Sequence, residues 1–60
     1  MGDRNDKPLI LVVDDNYGNR LSLESLLSPD YAVDLAATGH QALALSLKQE
    51  YAVILLDVRM

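Results

Sequence analysis

Apolar residues fall along this chain in two different rhythms. Leu9 to Val13 reads L-I-L-V-V, and Val53 to Leu56 reads V-I-L-L. Unbroken runs of that length suit strands of a parallel sheet that is covered on both faces. Tyr31 to Ala36, Y-A-V-D-L-A, alternates instead, as a half-exposed edge strand does. Between the strands the spacing becomes helical. Tyr17, Leu21, Leu23, Leu26 and Leu27 follow Asn16, a candidate N-cap, and the pattern stops at Ser28-Pro29. Pro29 biases the residue before it away from helical backbone angles. Thr38 is a second candidate cap, opening a helix from Gly39 to about Gln49. Ala42, Leu43, Leu45, Ser46 and Leu47 give that helix a wide apolar arc, and Lys48 suits the negative end of its dipole.

The predicted order is β-α-β-α-β, with strands over 9–13, 31–36 and 51–56. Right-handed crossovers decide the topology: if the second strand lies on one side of the first and the third on the other, the winding reverses and the helices fall on opposite faces. The fold class is α/β, a doubly wound parallel sheet of strand order 2-1-3 with one helix on each face. Where the winding reverses, a crevice opens at the carboxyl ends of the strands, and Asp14, Asp15 and Asp57 are expected to line it. Two adjacent carboxylates cannot share the burial of the run before them without a cation or hydrogen-bond donors, so the pair is expected at the mouth of the strand. Residues 1–7, M-G-D-R-N-D-K, have no apolar periodicity and are expected to form a flexible tail.

Bulk properties narrow the function. Sixty residues allow one small domain, and no cysteine is present to staple it. Five Lys and Arg stand against nine Asp and Glu, for a net charge of −4. The basic residues Arg4, Lys7, Arg20, Lys48 and Arg59 are scattered, with no stripe to neutralise successive phosphates, so direct nucleic-acid binding is not expected. The longest apolar run is far short of the roughly 20 residues that cross a bilayer, and the polar start is no signal peptide. A cytoplasmic protein without membrane contact is expected. His40, near the start of the second helix, is read as exposed rather than as a phosphotransfer residue.

Three carboxylates at one edge repel one another, and binding a cation or keeping a proton relieves the repulsion. Oxygen donors without His or Cys favour Mg²⁺, which keeps several waters and leaves positions open for a phosphoryl oxygen. A carboxylate beside such a metal can attack phosphorus and form an aspartyl phosphate. Asp57 stands alone at its strand end and is the candidate nucleophile, with Asp14 and Asp15 placed to hold the metal.

These stretches resemble a known family. L-I-L-V-V-D-D-N is similar to the first strand and acidic pair of response-regulator receiver domains, V-I-L-L-D-V-R-M to their phosphoacceptor strand, and A-A-T-G-H-Q-A-L to their second strand–helix junction. The resemblance covers residues 8–60 and implies the N-terminal half of a flavodoxin-like receiver domain in two-component signalling. It implies that Asp57 takes a phosphoryl group from the phosphohistidine of a sensor histidine kinase or phosphotransfer domain. It further implies that Asp15 binds Mg²⁺ directly, Asp14 mainly through water, and the carbonyl of Arg59 as another ligand. D-D-N followed by Asn19-Arg20 resembles receivers fused to histidine kinases.

The resemblance also marks a departure. A receiver carries two further strands, with a Ser or Thr and a Lys that contact the phosphoryl group, and these 60 residues include neither strand. The third strand then presents an apolar edge, so the segment is expected either to self-associate or to be a piece of a longer protein, and alone it is not expected to be fully active. Two other functions compete: an aspartyl-nucleophile phosphatase using Asp14, against which position 16 is Asn rather than Asp, and a non-catalytic interaction fragment. No G-x-G-x-x-G follows the first strand, which disfavours nucleotide binding.

Overall fold

The structure is a computed structural model that describes residues 7–57, the last by its backbone alone. The chain runs β1 (Leu9–Asp14), α1 (Tyr17–Leu27), β2 (Ala32–Ala36), α2 (Gly39–Lys48) and β3 (Val53–Asp57). All strand pairs are parallel, in the expected order β2-β1-β3. Residues 1–6 of the expected tail lie outside the described residues. Lys7 Nζ donates to the Ser28 carbonyl at 3.1 Å.

β1 is the core. It is paired along both edges, and Ile10, Leu11, Val12 and Val13 are all buried, Leu11 completely. On one face Leu11 and Val13 join Ala36 of β2, and Ala42 and Leu45 of α2 pack on them together with Tyr51. On the other, Val12 and Asp14 share a cavity wall with Leu23 of α1. Each aliphatic side chain buried in this way contributes on the order of 1.5–3 kcal/mol. The apolar arc of α2 is used more narrowly than its sequence suggests. Ala42 and Leu45, one turn apart, meet the sheet, while Leu43 and Leu47 are exposed.

Both helix starts follow the expected chemistry. Asn16 is in extended backbone and its Oδ1 accepts the Asn19 amide at 3.0 Å. A Cβ on Gly18 would come within 3.3 Å of that same oxygen, so a residue without one leaves the cap room. Thr38 Oγ1 accepts the Gln41 amide at 3.1 Å, and Gln41 Oε1 reaches back to the Ala37 amide at 2.7 Å, a close relative of the capping box.

The strand limits shift where side chains take over from the ladder. β1 extends one residue further than its aliphatic run, to Asp14. β2 starts at Ala32 rather than Tyr31, because the Tyr31 amide closes the end of α1 on the Leu27 carbonyl at 2.9 Å. β3 starts at Val53 rather than Tyr51, whose ring turns into the core beneath α2. β3 is also the least covered strand: Val53, Ile54, Leu55 and Leu56 are all exposed, and among the described residues nothing pairs with its outer edge.

Candidate functional site

The parallel register decides which acids meet. β1 and β3 align Ile10 with Val53, Val12 with Leu55 and Asp14 with Asp57, so the two aspartates end adjacent strands side by side. Register partners in a parallel pair share a sheet face, which puts Asp57 on the same face as Val12 and Asp14. Asp15 follows at once, in the turn between β1 and α1. The expected edge is thus formed by the backbone of all three positions. Arg59 lies outside the described residues.

The acidic pair is divided between two environments. Asp15 is exposed, as a residue at the strand mouth should be. Asp14 instead lies inside the end of β1 with only 2 % of its surface accessible, which corrects the expectation that both carboxylates sit at the mouth. Hydrogen bonding makes the difference. The Asn16 amide donates to Asp14 Oδ1 at 2.9 Å, at the positive end of α1, and together these offset the cost of removing a carboxylate from water. No buried side-chain nitrogen or oxygen among the described residues lacks a partner.

A cation completes this turn from the protein itself. Arg20, in the second turn of α1, folds back so that Nη1 donates to the Asp14 carbonyl at 2.7 Å. Its guanidinium carbon stands 5.5 Å from the centre of the Tyr17 ring. The residue pattern alone gives Arg20 no role at this turn; the signal that could have found it is its spacing, six residues beyond Asp14, which brings a side chain on the first turns of a helix back to the strand that precedes it.

Below the acid edge lies a cavity of about 150 Å³ lined by Val12, Val13, Asp14, Leu23, Leu55 and Leu56. Its walls are apolar but for Asp14, so it is packing space between α1 and β3 rather than a polar ligand site. Among the described side chains no three His, Cys, Asp or Glu form a group able to hold a metal. The two described acids supply hard oxygen donors without imidazole or thiolate, a set that fits Mg²⁺ better than zinc or copper. Asn16 is an amide rather than a third acid, and its side-chain oxygen caps α1. His40 is exposed at the start of α2.

The chain was also compared with known proteins. Residues 10–60 match the family model described as the response regulator receiver domain. No curated protein and no solved structure matches the chain.

Proposed function

The chain belongs to the response regulator receiver domain family, and on that premise we propose that it carries the phosphoacceptor of a two-component regulator or hybrid histidine kinase, with Asp57 as the accepting residue. The observation that supports this most is the register of β1 with β3, which ends Asp14 and Asp57 on neighbouring strands. In the proposed reaction a carboxylate oxygen of Asp57 attacks phosphorus, the N–P bond of a partner's phosphohistidine breaks, and the departing imidazole takes up a proton. The partner is a sensor histidine kinase or a phosphotransfer domain.

Asp15, Asp14, Asp57 and the Arg59 carbonyl are the groups we assign to Mg²⁺. Bound there, the ion would offset charge on the transferring phosphoryl group. Asp15, exposed and making no hydrogen bond among the described residues, is the natural direct ligand. Asp14, already holding the Asn16 amide, is suited to contact through water. Residues 8–60 are read as the first three strands and two helices of the domain, and 1–7 as a tail. Among the described residues no helix is long and apolar enough to cross a membrane. A cytoplasmic location is the reading that goes with this function. For these 60 residues taken by themselves, the unpaired side of β3 is assigned to self-association.

The test is acyl phosphate mapping after incubation with a phosphohistidine donor and Mg²⁺. In a chain carrying the full receiver domain, label is expected on Asp57 and lost in Asp57→Asn; in these 60 residues alone, little durable label is expected. Label that persists on Asp14 in Asp57→Asn would instead favour the phosphatase reading.

A further inference from the structure

Arg20 is placed against the usual electrostatics of a helix. A cation near the N-terminal end of α1 faces the positive pole of the dipole, and no acidic residue occupies the first turn to offset it. Such a residue normally extends into solvent. Here the side chain is half-buried and held by two contacts: Nη1 donates to the Asp14 carbonyl at 2.7 Å, and the guanidinium lies 5.5 Å from the Tyr17 ring centre. The acceptor in this contact is a main-chain oxygen, so the contact fixes backbone position.

The position fixed is a consequential one. Asp14 is the last residue of β1 and Asp15 the first of the turn. The Asp14 carbonyl belongs to the peptide that leads into Asp15, so whatever holds that oxygen sets the direction in which the Asp15 side chain departs. The same turn is held from the other side by the Asn16 amide on Asp14 Oδ1 and by Asn16 Oδ1 on the Asn19 amide. Arg20 and Asn16 therefore grip the acid-bearing turn from the helix, one through the carbonyl and one through the carboxylate.

We propose that Arg20 is a positioning residue for the metal site, holding the Asp14–Asp15 peptide through its carbonyl so that Asp15 is set for a divalent cation before the cation arrives. The proposal rests on the reading of Asp15 as a Mg²⁺ ligand. Groups that orient metal ligands without touching the metal commonly change affinity by about tenfold or more when removed. Lysine is a poor replacement, because it retains the charge but lacks the planar fork that can donate to a carbonyl while lying against a ring.

Calorimetric titration of the protein with Mg²⁺ alone tests this, with thermal unfolding of the metal-free protein measured in parallel. Arg20→Met, which keeps the aliphatic stem, is expected to weaken Mg²⁺ binding about tenfold per folded molecule, and Arg20→Lys to recover only part of that loss. A purely structural role would lower the unfolding temperature and leave the affinity of the folded fraction unchanged, which would overturn the proposal. Tighter binding in Arg20→Met would overturn it too, identifying Arg20 as a competing counter-charge. Asp15→Asn separates the two levels of the argument. If it leaves Mg²⁺ binding intact, the assignment of the metal site itself fails, and the role of Arg20 with it; if it abolishes binding while Arg20→Met does nothing, only the role of Arg20 fails.

Discussion

The phenol of Tyr51 donates to Asp34 Oδ2 across 2.6 Å, tying the segment before β3 to the edge strand β2 on the far side of β1. Asp34 is the register partner of Leu11, so it sits on the apolar face that α2 covers. A carboxylate there needs a donor, and the tyrosine ring supplies one while packing on Leu11, Val13 and Ala36. Tyr51→Phe keeps the packing and removes the donor. It is expected to cost about 1–2 kcal/mol in urea unfolding. Asp34→Asn retains an acceptor and is expected to cost less.

The Asn16 cap should be measurable by itself. Asn16→Ala is expected to lower stability by about 1 kcal/mol and to speed hydrogen exchange at the Asn19 amide, which loses its acceptor. Asn16→Asp keeps a side-chain oxygen at the same place, and slow exchange at Asn19 should survive.

Among the described large apolar residues, Leu11 and Leu47 mark the extremes of burial, at 0 % and 79 % exposed. Leu11→Ala is expected to cost about 2–5 kcal/mol, enough to unfold much of so small a domain by far-ultraviolet circular dichroism. Leu47→Ala should stay within about 0.5 kcal/mol of the parent.

The bare side of β3 predicts association between copies. Sedimentation velocity of the 60-residue chain is expected to show a concentration-dependent shift toward a dimer or larger species. Ile54→Lys places a like charge at the shared edge and should weaken that association about tenfold or more. A parent chain that stays monomeric at high micromolar concentration would refute the assignment of this edge.

Most of the architecture was legible in the residue pattern, because its causes are local or follow from chirality. Unbroken aliphatic runs, two caps and a proline stop define the elements, and with the order 2-1-3 right-handed crossovers put the two helices on opposite faces. The limits were missed where a side chain decided them. Tyr51 reads as strand by propensity, yet its ring is drawn into the core and its hydroxyl to Asp34. At the candidate site, the meeting of Asp14 with Asp57 follows from equal positions at the ends of two parallel strands. The unequal burial of Asp14 and Asp15 does not, since it depends on a backbone donor two residues on. Arg20 was hidden for a similar reason: its role comes from a main-chain acceptor, which no sequence letter records.

β1 is made first and enclosed last. Its register with β3 joins residue 10 to residue 53, so one edge of the most buried strand has no partner until nearly the whole described chain has been synthesised. Contacts this distant are slow to form, because the closure of a long loop precedes any gain from it. On the ribosome, the helical segments and β2 emerge while Leu11 and Val13 are still half open. During that interval the nascent chain carries an unpaired aliphatic strand edge at residues 9–13.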